Sequence, residues 1–411
     1  MIKSVKEIKV GLDFGASIQQ VGRLAIADHI IYFEYDDEFI KTGLQISPIR
    51  LPLKKGLTEL SQRPFEGLAG VFNDSLPDGW GRLLFDRLLR ANGILPTTIT
   101  PLDRLAHVGM SGMGALVYQP DHSLTESQEV IDLDQLAIQS QEVLQGSSDE
   151  VIKELLTLNG SSAGARPKAL VGISQNRQQI VHGTHKIEEG FEPWLVKFTN
   201  SQDGQDAGAV EYVYALMAKE AGIVMPEVHL FSSQKGAGHF AVKRFDYDGH
   251  QRLHMHTVSG LLHSDFRIPS LDYEDLLNLT GALTKDIREV EKMYRLAVFN
   301  ILAHNRDDHA KNFSFLMNSK GEWKLAPAYD LTFSSGPNGE QSMMVMGEGK
   351  NPTTKHLIQL GKEAKLPLKH IDEIIERTKS ALNLWEHLAS LHQVKKNNID
   401  LIKKNLMKTC N

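Results

Sequence analysis

Hydrophobic periodicity changes along this chain, and those changes bound the folds open to it. In the first 60 or so residues, KVGLDFG, VGRLAIA and HIIYFEY alternate apolar and polar positions. That is the period of strands with one buried face. From Gly160 to about Asp248, four strand-like runs (KALVGIS, EPWLVKFT, PEVHLFSS, HFAVKRFDY) flank a helical one, GAVEYVYALMAKEAGI. In that helix Val210, Val213, Met217 and Ala221 share a side and Gly222 ends the run. Beyond about residue 270 the period is mainly helical: YEDLLNLTGAL, IREVEKMYRLAVFNILAHN, and HIDEIIERTKSALNLWEHLASLHQ. The pattern predicts an α+β chain: a β-rich region over 1–125, an α/β unit over 126–255 and a helical unit over 256–411. SLPDGWGRLLFDRLLRANG predicts a helix capped by Ser75 or Asp78, with Leu83, Leu84, Leu88 and Leu89 on its apolar side. LAHVGMSGMGALVYQP reads as a glycine-rich turn and a short strand, and the acidic stretch 121–160 as one or two surface helices.

With 41% hydrophobic and 23% charged residues, the chain has the apolar content of a folded protein rather than a disordered one. Its single cysteine, Cys410, cannot staple the fold or build a zinc site. The N-terminus lacks a signal-like apolar run, and no stretch reaches the ~18 apolar residues of a membrane span. A reducing, cytoplasmic setting with no membrane partner is the expectation. The net charge of −6 excludes a global basic field that would draw the protein to nucleic acid. That average hides an asymmetry. Residues 351–411 carry 11 Lys/Arg against 6 Asp/Glu, and the first 350 carry 34 against 45.

The densest polar run, His304 to Asn312 (HNRDDHAKN), directly follows the apolar helix MYRLAVFNIL. Such a loop on a rigid helix end is a common place for chemistry. Asp307 and Asn312 are five apart, the spacing of the base and the metal-binding asparagine in the kinase loop H-R-D-x-x-x-x-N. An aspartate can accept a substrate hydroxyl proton, an asparagine oxygen is a neutral hard ligand for Mg²⁺, and Lys311 between them can steady phosphoryl charge. Asp330, 18 residues after Asn312 at the end of EWKLAPAYD, is the natural second metal ligand. Asn159 to Lys168 (NGSSAGARPK) is a small-residue loop that would let backbone N–H groups approach phosphate oxygens, although it lacks the G-K-[ST] ending of a Walker loop. Lys197 lies inside an apolar strand, where a charge is costly unless paired, and Glu211 on the next helix is a candidate partner. Each piece alone also reads as ordinary polar surface. Their order along the chain is the kinase order.

These motifs, with SLPDGWGR, GMSGMGAL and AVKRFDY, resemble the HipA family of serine/threonine kinase toxins over nearly the whole chain. The resemblance implies a protein-kinase-like two-lobe fold, with an α/β ATP-binding lobe and an all-helical C-terminal lobe. It implies Asp307 as the catalytic aspartate and Lys311 as its helper. Asn312 and Asp330 would hold Mg²⁺. ATP would be bound by Ser162, Ala163, Gly164, Ala165, Arg166, Lys168, Lys197, Arg244, Phe245, His309, Asn312 and Asp330. Ser161 matches a serine that is autophosphorylated in the family, which inactivates the kinase. Partners implied are a HipB-like helix-turn-helix antitoxin, operator DNA mainly through that antitoxin, and a protein substrate such as an aminoacyl-tRNA synthetase. The chain departs from the family pattern at Lys243 in place of Glu, at Arg166 in place of Gln, and at His254-Met255-His256-Thr257 where Gln-Glu-Asp is usual. The loop also looks like that of phosphatidylinositol kinases. A small-molecule or lipid kinase, or a catalytically weak antitoxin/DNA co-repressor binding protein, is therefore the alternative.

Overall fold

The computed structural model describes residues 4–124, 130–146, 150–161, 164–183, 187, 189–200 and 204–410. The alternating front of the chain forms a five-stranded antiparallel sheet. Its strands lie in the order Thr58–Glu59, Ile30–Tyr35, Ile18–Ala27, Glu7–Asp13, Leu116–Gln119. The hairpin between Ala27 and Ile30 closes on Asp28-His29, both at positive φ (49° and 63°). That two-residue geometry matches the twist of the flanking strands. One face of the sheet buries Val10, Leu12, Leu24 and Phe33.

The second sheet is also antiparallel, in the order Ile180–His182, Lys168–Ser174, Phe191–Lys197, His239–Lys243, Val228–Phe231. Ala169, Val171 and Ile173 alternate onto one face, where the helix Glu150–Asn159 packs on them and the helix Gly79–Ala91 packs on that helix within the same core. The helices Leu133–Gln145 and Glu150–Asn159 join that core through Leu136, Val143, Leu155 and Leu156. The acidic stretch therefore yields two helices that each bury an apolar side, rather than purely surface ones.

A third, small sheet pairs His254–Thr257 with Ser314–Met317, and the latter with Trp323–Leu325. It holds the polar run just ahead of its middle strand. Behind it the helices Tyr273–Thr284, Ile287–Leu302, Thr354–Glu363, Leu368–Leu382, Trp385–Leu391 and Lys396–Cys410 build the largest core.

Packing interleaves the three sequence segments. The helix Gly79–Ala91 comes from the front segment, yet Trp80, Leu84, Phe85, Leu88 and Leu89 lie in the second sheet's core. The helix Ala207–Glu220 comes from the middle segment, yet Val213, Tyr214 and Met217 pack in the helical core, with Tyr214 edge-on to Phe299 and Trp385. The strand His254–Thr257 crosses the 255/256 border. No helix among the described residues is long and apolar enough to cross a membrane.

Leu84 is fully buried where the front segment meets the second sheet. Leu84→Ala is expected to cost about 3 kcal/mol. Thermal melting checks this: an unchanged midpoint would contradict the packing role assigned to this helix.

Candidate active site

The residues singled out by sequence converge on a cleft of about 550 Å³ between the second sheet and the helical core. That volume suits a small-molecule ligand. Lys197 ends the strand Phe191–Lys197, and Glu211 lies in the first turns of the helix Ala207–Glu220. Lys197 Nζ stands 2.5 Å from Glu211 Oε1 and 2.5 Å from Asp330 Oδ1. Arg166 approaches the other Glu211 oxygen at 3.5 Å. Lys168 sits directly across the sheet from Lys197. Burial first, and the Lys197 charge next, push the Lys168 ammonium down to about 8. Burial opposes the charge on Asp330, but Lys197, Lys168 and Arg166 outweigh it and hold its carboxyl well below the usual range. The strand before Asp330 ends at Leu325, so Asp330 lies beyond it on irregular backbone, at φ 57°.

The polar run divides by direction. Asp307, His309, Lys311 and Asn312 line the cleft. Asn312 Nδ2 donates to the Asp307 carbonyl oxygen at 2.7 Å, closing the loop on itself. Tyr329 Oη donates to the Lys311 carbonyl at 2.6 Å, so the A-P-A-Y-D segment braces the polar run. Burial raises the Asp307 carboxyl, and the nearby Asp330 charge raises it further; His309, Arg166 and Lys197 pull it down. The net shift is upward, as suits a proton acceptor. His309 Nδ1 is buried with no hydrogen-bond partner among the described residues.

The other members face inward. Asp308 is 1% exposed and accepts from Tyr273 Oη (2.7 Å), Ser342 N (3.0 Å) and Met343 N (3.2 Å). Asn305 donates to Asn300, which donates to Tyr273 Oη. His304 stacks on Phe333, and Arg306 donates to the Gly339 and Lys350 carbonyls. His304, Asn305 and Asp308 thus form a buried frame for the members that line the cleft.

Gly164, Ala165, Arg166 and Lys168 line the cleft; Ser162 and Ala163 lie outside the described residues. Ser161 lines it too, 2% exposed, its Oγ accepting from Met113 N at 2.7 Å. Phe245 lines the cleft and packs on Tyr329. Arg244 is buried, its guanidinium paired with Asp246 and its N–H donating to the Pro193 carbonyl. The departures from the family pattern find partners: Lys243 pairs with Glu192 at 2.6 Å and His254 meets the Ile46 carbonyl. His256 bridges Asp74 and Ser47.

The two side chains that meet the Lys311 ammonium escaped sequence reading as site residues. Asp78, read only as a helix cap, accepts from Lys311 Nζ at 2.6 Å. Phe266 lies under the Lys311 ammonium, 4.7 Å from ring centre to nitrogen. Only the polar D-G-W-G turn signalled the first, and no periodicity marks the second. Among the described residues no three His, Cys, Asp or Glu side chains group as a metal site.

Two family models match this chain: "HipA N-terminal domain" over residues 13–119 and "HipA-like C-terminal domain" over 160–385. The serine/threonine-protein kinase toxin HipA of Shewanella oneidensis is 27% identical over 286 residues, covering 62% of this chain and 60% of that protein. The chain thus spans about three fifths of the length of that curated relative. A putative kinase of Haemophilus influenzae is 26% identical over 135 residues, 29% of this chain and 39% of that protein. A solved structure from the Shewanella oneidensis complex of HipA, HipB and operator DNA covers 98% of this chain and 96% of its own, with a TM-score of 0.68 at 16% identity. That likeness shows the fold, and the two-lobe, kinase-like α+β architecture is the one this chain has.

Burial pushes the Asp308 carboxyl up to about 7, over the pull of its three hydrogen bonds. In the unfolded chain it titrates near 3.8, so between about pH 4 and 7 the native state keeps a proton that the unfolded state has lost. Native stability therefore falls as pH rises through that window. Asp308→Asn cannot ionise, so its melting midpoint relative to wild type is expected to rise from about pH 4 to 7. A difference independent of pH would contradict this.

Proposed function

This chain belongs to the HipA family, and on that premise we propose that it is an ATP-dependent serine/threonine protein kinase, the toxin of a toxin–antitoxin pair. The observation that carries the reading is the Lys197–Glu211–Asp330 cluster facing Asp307, Lys311 and Asn312 across one cleft. A strand lysine paired to a helix glutamate, opposite an aspartate and an asparagine five residues apart, is the kinase arrangement.

The donor chemistry fits Mg²⁺. Asn312 and Asp330 offer hard oxygen ligands, and the Asp330 charge disfavours ionised Asp307. A divalent cation relieves that repulsion and neutralises phosphate charge. Lys197, Lys168 and loop backbone N–H groups other than that of Gly164, which Asp78 takes, hold the phosphates, and His309 Nδ1, without a partner among the described residues, offers one more polar contact. Asp307 orients the substrate hydroxyl and accepts its proton; Lys311 steadies charge on the moving phosphoryl group. Phe245 and the strand end at Lys243 frame the nucleobase side.

Ser161 is the self-phosphorylation site in this reading. Its hydroxyl is buried against Met113 N, so a dianionic phosphoserine cannot stay there and the loop must leave. The partner is a HipB-like helix-turn-helix antitoxin, with operator DNA met mainly through it. The substrate is a protein hydroxyl, with aminoacyl-tRNA synthetases the class the family suggests.

Incubation with labelled ATP and Mg²⁺ is expected to label the wild-type protein, and Ser161→Ala to lose the label. Asp307→Asn is expected to slow transfer by about 10²- to 10⁴-fold. Label retained by Asp307→Asn at the wild-type rate would exclude this mechanism. ATP affinity is expected to hold below pH 8 and to fall above it, because Lys168 must then take up a proton to meet the phosphates. Titration calorimetry of Lys168→Gln should show that slope flattened.

A further inference from the structure

Asp78 occupies the N-cap position of the helix Gly79–Ala91, yet its side chain makes no cap hydrogen bond. An aspartate there ordinarily stabilises its own helix by accepting from the N–H groups of its first turn. Here the carboxylate turns into the cleft. Oδ2 accepts from Lys311 Nζ at 2.6 Å, and Oδ1 accepts from the Gly164 N–H. The Gly164 carbonyl is held as well, by Trp80 N at 3.0 Å. Gly79, at φ 42°, makes the approach possible: a Cβ there would meet Gly164 O at 2.5 Å and Ala165 Cα at 2.7 Å. The D-G-W turn therefore grips both backbone groups of one phosphate-loop residue, and the same carboxylate holds the catalytic-loop lysine. Lys311 is 9% and Asp78 17% exposed at the side chain, so water screens this pair only weakly. Burial opposes the charge on Asp78, but Lys311 and the Gly164 N–H outweigh it, and the carboxyl sits below its ordinary range.

We propose that Asp78 is a positioning residue for phosphoryl transfer, one carboxylate orienting Lys311 and fixing the phosphate loop at Gly164. The inference rests on the kinase reading above. It gives the front segment a part in catalysis, because the loop and the lysine are set relative to each other through a turn that belongs to neither lobe's own motifs. A lysine with a long flexible stem loses reach and direction without its anion. The ground-state hold on ATP lies mainly with Lys197 and Lys168; Lys168 also feels the Asp78 charge, but its burial and the Lys197 and Asp330 charges act on it more strongly.

The test is a double-mutant cycle on ATP turnover with Mg²⁺, comparing wild type, Asp78→Asn, Lys311→Met and the double variant. Asparagine keeps an oxygen for the Gly164 N–H but removes the anion from Lys311. Asp78→Asn is expected to lower kcat by about tenfold with KM for ATP within about twofold, and to change kcat less than about twofold in the Lys311→Met background. An equal loss in both backgrounds, or a raised KM with kcat unchanged, overturns the proposal. Asp78→Glu keeps the charge and is expected to recover part of kcat; Asp78→Ser, which also removes the anion, takes the place of Asp78→Asn in the cycle if melting shows the latter unfolded. Wild-type protein that turns over no ATP overturns both this inference and the kinase reading, whereas turnover with additive losses overturns this inference alone.

Discussion

An ammonium group held between two carboxylates organises this cleft. Lys197 is 11% and Glu211 3% exposed at the side chain, and Asp330 completes the cluster. Taking such ions from water costs several kcal/mol each, and only close pairing offsets it. The three residues come from a strand, a helix and an irregular segment 133 positions away from the lysine. Whatever moves one lobe against the other must break those contacts and leave a buried charge unpaired. The second sheet is thereby locked to the helical core along the cleft.

The polar loop His304–Asn312 answers a related problem. A loop that presents Asp307, Lys311 and Asn312 to solvent has few apolar groups to hold it. The chain supplies polar anchors instead: Asp308 beneath the loop on Tyr273, Ser342 and Met343, and Tyr329 on the Lys311 carbonyl. Asp307 and Asp308 reach the cleft and the interior from neighbouring positions. Their environments then separate their chemistry, one opening to the cleft and the other fully enclosed.

The front segment joins this machinery through buried polar contacts. His256 lies between Asp74 and Ser47, and Asp74 also accepts from Thr257 N and Oγ1. Arg252 reaches the Gly112 and Gly114 carbonyls, and Asp246 accepts from Gly114 N. Each satisfies a donor or acceptor that would be costly to bury alone. The H-M-H-T segment, which departs from the family pattern, has its two histidines built into this seam.

Periodicity placed most strands of both large sheets, the helix Ala207–Glu220 and the long helix before the polar run, because a half-buried element writes its period into the chain; the short edge strands Thr58–Glu59 and Ile180–His182 are too brief to show one. Spacing alone brought out Asp307, Asn312 and Asp330, since those residue types at those intervals suit few other purposes. Local sequence could not say which half of HNRDDHAKN faces the cleft, nor that the acidic helices bury a side. It read Asp78 as a helix cap because that is what an aspartate before a helix does with only its own neighbours available. The decision was tertiary: Lys311 lies 233 positions away and Gly164 86, and a buried cation outcompetes local N–H groups for a carboxylate.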